Sequence, residues 1–183
     1  MADSMMGRLS TFYSSSHRQV LEVLNSLDDR YVMWSPNKTA PCIGLHLWHL
    51  ARWADYLQEM ISETPGQIWE MDRLAEEWGL RGTDLGFAET GMGLDDSASA
   101  SLRLPEKDVL LEYARKAFAK ADQAVGSMAD EDFHRTVQDR LEAEGKEAEI
   151  GDAVLSWLKH DNRHLGMIEC MLGVQGLHGT ATR

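Results

Sequence analysis

Two pairs of histidines carry spacings that could do chemistry. His160 and His164 lie four positions apart in "KHDNRHLG" (159–166), and His46 and His49 lie three apart in "IGLHLWHLARWADYL" (43–57). Four residues is just over one helical turn, so on a helix both members of a pair leave the same face. Two imidazoles on one face can chelate a metal, and a third from elsewhere leaves a coordination position open, the arrangement of catalytic rather than closed structural sites. Such a position would hold water, whose pKa falls on a metal, or a thiolate. The remaining histidines, His17, His134 and His178, have no partner at ligand spacing and read as hydrogen-bonded or half-exposed side chains.

The segments that must position these imidazoles are helical in period. A first helix is expected over 8–29, with Phe12, Val20, Val23, Leu24 and Leu27 as its apolar face. "WSPNKTAP" breaks the chain, and a second helix begins near Pro41 with the stripe Ile43, Leu47, Leu50, Ala54, Leu57, Ile61, the spacing of a bundle helix. A shorter helix is expected over 66–78, an irregular Gly/Asp/Ser-rich stretch over 79–101, a long helix from Pro105 to about 125, a short one around 130–140, and a last long helix over 150–172 before Gly173, Gly176 and Gly179. The tail "GLHGTATR" is expected to be ordered only where it packs on something. Strand signals are almost absent. The pattern predicts one all-α domain over 1–183: a four-helix bundle whose long crossover, more than 40 residues between the second and third long helices, carries one or two short extra helices.

Helical phase brings the two pairs together. At ~100° per residue, His46 and His49 fall roughly 60° and 120° to one side of the second helix's stripe, and His164 and His160 roughly 80° and 120° to the same side of the last helix's stripe (Val154, Leu158, Leu165, Ile168, Leu172). If the two helices are neighbours, an imidazole of the second meets the pair of the last. Asp161 falls on the core-facing stripe, an odd place for a carboxylate; it either orients an imidazole on the partner helix, the second one, or faces a wet groove. Trp48, Trp53 and Trp157 read as core or dimer contacts before pocket walls.

Composition narrows the function classes. With 183 residues, 43% hydrophobic content and a net charge of −12, the chain is long enough for a real core and repels phosphate backbones and anionic membranes, so neither nucleic acid nor membrane is an expected partner. No apolar run reaches the ~18–20 residues of a bilayer span, and no secretion signal is visible; a cytoplasmic location is the expectation. Cys42 and Cys170 are too few for a disulfide framework and read as small buried hydrophobes. No Gly-x-Ser-x-Gly elbow, P-loop or Rossmann glycine pattern is present, which leaves metal-based chemistry as the catalytic option.

"PCIGLHLWHLARWADYL", followed much later by "LKHDNRHLGMIECMLGVQGLHGTAT", resembles the DinB-like superfamily. "WSPNKTAP", "IWEMDRLAEEWGL" and "TGMGLDD" are similar to its intervening segments, so the resemblance covers nearly the whole chain. It implies a four-helix bundle, often dimeric, with a divalent metal on three histidines: His49, followed here by Leu-Ala-Arg, and the pair His160 and His164. His46, which the helical phase places nearer the core, occupies a variable position in the family, and Cys42 departs from the more usual Ser. The resemblance further implies a small-molecule substrate, with either thiol-dependent transfer, using a low-molecular-weight thiol cosubstrate, or hydrolysis. Zinc, nickel or iron suits imidazole ligands. The competing expectation is a non-enzymatic dimeric helical protein of stress response or binding, its metal structural or absent.

Overall fold

The computed structural model describes residues 4–62, 66–138 and 147–180. Four long helices carry the fold: α1 (Met5–Asn25), α3 (Ile43–Ser62), α7 (Lys107–Gly126) and α8 (Ile150–Val174). Between them lie α2 (Asp29–Val32), α4 (Ile68–Met71), α5 (Leu74–Glu77), α6 (Asp96–Ser101), two 3-10 turns (Gly82–Asp84 and Asp130–His134), and the strands β1 (Thr136–Gln138) and β2 (Glu147–Glu149). The fold is all-α, as the helical periodicity predicts. α7 packs on both α1 and α3, and α8 packs on the same two helices from the other side, so the ring runs α1, α7, α3, α8. No helix among the described residues is long and apolar enough to cross a membrane.

The expected stripes become the core. Ile43, Leu47, Leu50, Ala54, Leu57 and Ile61 are all buried, as are Val154, Leu165, Ile168 and Leu172 of α8 and Leu110, Leu111, Ala114, Phe118 and Ala121 of α7. Phe12 is a correction: it is 65% exposed, and Met6, Leu9, Tyr13, Ser16, His17 and Val20 fill the inner face of α1. The buried positions 9, 13, 16, 20 and 23 step by four and three, and with Met6, His17 and Leu24 the buried face centres ~85° from Phe12. Gly44 lets α3 come close to its neighbours, since a Cβ there would meet Met33 Sδ at 2.9 Å and Leu110 Cδ1 at 3.2 Å.

The crossover differs from the expectation in detail. The helix expected over 66–78 is broken into α4 and α5 at Arg73, whose φ is 53°. Trp69 and Leu74 are both buried, yet five residues apart they would lie ~140° around one straight helix; the break resets the phase so that both reach the core. The carboxylate of buried Asp55 accepts from Ile68 N and Trp69 N, at 2.9 Å each, and so caps α4. The stretch read as irregular holds α6, whose first turn is capped by Asp95 Oδ1 accepting from Ala98 N at 2.7 Å. The short helix expected around 130–140 is a 3-10 turn followed by β1, which pairs antiparallel with β2 in the register Thr136↔Glu149, Val137↔Ala148, Gln138↔Glu147. A three-residue strand is too short to show an alternating pattern. Residues 139–146 of that expected helical and acidic stretch lie outside the described residues. The tail packs through Glu169, whose Oε1 accepts from Thr180 N at 2.8 Å.

Candidate metal centre

α3 and α8 lie side by side, and their packing converges three imidazoles. His49, His160 and His164 each bring one nitrogen within 4.8 Å of the others. His49 Nε2 is 3.0 Å from His160 Nε2. The tautomers follow from what the other nitrogens face. His49 Nδ1 donates to the Thr90 carbonyl, which can only accept, so Nε2 of His49 carries a lone pair. His160 Nδ1 is buried without a hydrogen bond, the Asp161 carboxylate standing 3.7 Å away; with its proton on that side, His160 offers the Nε2 lone pair. The two Nε2 atoms, 3.0 Å apart, can then both serve a cation set beside them. Two nitrogens on one tetrahedral zinc, at bond lengths of about 2.0–2.1 Å, stand about 3.3 Å apart. The residues therefore fit a divalent cation.

Burial tunes the same groups toward ligation. It lowers the His49 imidazole to about 4, with the neighbouring His160 adding to the effect, and lowers His46 to about 4. His164 is lowered as well, by burial first and then by the imidazoles around it. All three are neutral near pH 7, the state that binds metal. His46 is the more buried member of its pair, as the helical phase predicts, but it joins the cluster one step out: its Nδ1 lies 2.9 Å from His164 Nδ1. His49 is the member that meets both His160 and His164. His134 pairs at the surface with Glu149 at 2.7 Å, and His178 sits exposed in the tail.

His49 owes its aim to a turn that sequence reasoning overlooked. Ala88 and Glu89 have φ of 48° and 53°, and Gly91 has φ of 86°. Two consecutive non-glycine residues in the left-handed region are held there by Arg52, which is buried and donates Nε–H to the Glu89 carbonyl at 2.9 Å and Nη2–H to the Ala88 carbonyl at 3.3 Å. The next carbonyl, that of Thr90, receives the His49 proton. Gly91 is required by more than its φ: a Cβ would stand 3.1 Å from His49 Nδ1 and 3.0 Å from Trp48 Cζ3. Arg52 is fixed in turn by Gln67 Oε1 at 2.8 Å, Tyr113 OH at 3.2 Å and Asp55 at 3.4 Å. The glycines of "ETGMG" were the one sequence signal for this turn, and they do not say which helix it faces.

Asp161 is buried, and the imidazoles beside it lie on its own helix and on α1 rather than on α3. It faces no wet groove. Its Oδ1 approaches His160 on its own helix, and its Oδ2 lies 3.4 Å from Nε2 of His17 on α1. His17 is itself buried, stacks on Phe118 with centroids 4.0 Å apart, and its Nδ1 meets Asp122 at 2.7 Å. Burial alone would lower the His17 imidazole, but the two carboxylates raise it to about 9. Burial likewise would raise the Asp161 carboxyl, and His160 and His17 hold it below the ordinary carboxylate value. His17 is hydrogen-bonded, one of the two expectations for it; what the sequence did not foretell is its burial between two carboxylates.

A cavity of about 460 Å³ opens beside the cluster, sharing His46, His49 and His164 with it and walled by Leu45, Leu94 and Met171. Trp48 and Trp157 are core residues, whereas Trp53 touches the cluster by donating its indole N–H to His49 Nε2 at 3.0 Å. Cys42 is half-buried; Cys170 is exposed and lines the cavity, contrary to the buried reading, because it sits ~160° around α8 from the buried Ile168.

A helical bundle with three converging histidines defines a class, and comparison places the chain in it. Residues 13–168 match the family model of the DinB superfamily, and the chain belongs to that superfamily. A crystal structure described as the conserved protein of a locus from Enterococcus faecalis has the same fold, with a TM-score of 0.73 and 15% identity over 92% of this chain and 95% of that one. No functionally curated protein matches the sequence.

Proposed function

We propose that the chain is a metal-dependent enzyme in which His49, His160 and His164 hold a divalent cation, zinc or nickel first and iron next, and that it acts on a small molecule by thiol transfer or by hydrolysis. The observation that carries this reading is the convergence of His49, His160 and His164, each bringing one nitrogen within 4.8 Å of the others. When bound, such a cation lowers the pKa of a thiol or a water molecule and so supplies a nucleophile at neutral pH. The chain's own residues do the rest. Thr90 fixes the His49 tautomer, Asp161 stands beside His160, His46 steadies His164, and the cavity reaches His49 and His164, the side from which a substrate would approach.

Elemental analysis of the purified protein tests this directly. The wild type should carry about one equivalent of metal, or take it up from added zinc or nickel, and His160→Ala should lose it while staying helical. A wild type that holds no metal and gains none would leave only a helical scaffold. Metal whose removal lowers the melting temperature, with no exchangeable water or thiol position on it, would point to a structural ion instead.

A further inference from the structure

The cavity beside the histidines carries a second message, which rests on the metal-dependent reading and names what the site accepts. Its walls are Leu45, Leu94, Met167 and Met171, and the polar residues that line it beyond the histidines are Asp96, Ser99 and Cys170. Among the described residues, no Lys or Arg side chain lines it. Sites that take carboxylates or phosphates supply Arg, Lys or clustered backbone N–H groups to meet the charge. We propose that this cavity selects a small apolar molecule that is neutral or bears a cationic group near Asp96, and that it rejects molecules with an anionic group remote from the reacting atom.

The two ends of the cavity differ in what they accept. At the histidine end, a divalent cation on three neutral imidazoles welcomes one negative donor atom, such as a thiolate, because the charges match. Farther out, a second negative group meets apolar walls, which cost desolvation without a partner, or Asp96, which repels it. The chain's net charge of −12 opposes such a molecule on approach as well. An apolar body gains from the same walls, and about 460 Å³ falls within the range of pockets that enclose a small organic ligand. A thiol cosubstrate bearing several carboxylates is thereby disfavoured relative to one whose charge is confined to sulfur.

The test uses the full chain loaded with cobalt(II), whose thiolate charge-transfer band reports binding at the metal. Three probes differ only at the far end: benzyl mercaptan, its para-carboxylate and its para-aminomethyl analogue. The para position leaves the sulfur chemistry nearly unchanged. In the wild type the carboxylate should bind at least about tenfold more weakly than the parent thiol, and the aminomethyl probe at least as tightly as the parent. Asp96→Lys, at an exposed position on α6, should narrow or reverse the gap between carboxylate and amine by about fivefold or more, with the parent thiol changed less than about twofold. Equal binding of parent and carboxylate, or an unchanged ratio in Asp96→Lys, would overturn the proposal while the metal site stands. Failure of the wild type to take up cobalt would overturn the metal reading and this proposal together.

Discussion

The buried His17 cation makes the most exacting prediction. In the unfolded chain an imidazole titrates near 6.5; in the fold, Asp122 at 2.7 Å and Asp161 at 3.4 Å raise His17 to about 9. Because the folded value is the higher one, the stabilisation is fully present below about pH 6.5 and is lost as pH rises through about 9. At ~1.36 kcal/mol per unit, the shift corresponds to about 3 kcal/mol, and His17 is buried enough that solvent screening takes little of it. The assay is urea unfolding of wild type and His17→Gln between pH 6 and 10, in the presence of a chelator so that metal does not contribute. The wild type should exceed the variant by about 3 kcal/mol near pH 6, and the gap should shrink through pH 7–9. Salt should change it little, since the pair is buried. A gap that stays constant across that range would show that His17 is neutral in the fold and that the two carboxylates do not hold a proton on it.

The other predictions concern the cluster and its supports. His49→Ala should abolish zinc binding, whereas His46→Ala, one step removed through His164, should weaken it about 10–100-fold, as read by competition with a chromophoric chelator. Gly91→Ala forces a Cβ to 3.1 Å from His49 Nδ1 at φ +86°; it should cost about 1–2 kcal/mol of stability by denaturant melting and weaken zinc binding as well, and unchanged affinity would show that the turn does not aim His49. Arg52→Met leaves Asp55 buried without its cation and frees the strained carbonyls of Ala88 and Glu89, so unfolding should become about 3–5 kcal/mol easier.

Much of this protein is written in its sequence. The 4-3-4-3 stripe of α3 and the matching stripe of α8 gave helices, their inner faces and the phase of all four histidines, because helical period is a local property that apolar spacing records directly. The resemblance singled out His49, which stands with His160 and His164, and the wheel placed His46 deeper, where it is the more buried and lies against His164. What the sequence left open was decided by tertiary contact. Phe12 faces outward and His17 inward because the phase of α1 is set by what α7 and α8 present to it. Thr90 and Gly91 meet His49 across 41 and 42 positions of chain, and His17 meets Asp161 across 144, so no local pattern could announce them. Spacing along the chain determined which side chains share a helix face; only the packing of α1, α3 and α8, with the crossover folded over them, determined which imidazoles meet and which nitrogen of His49 is turned toward the others.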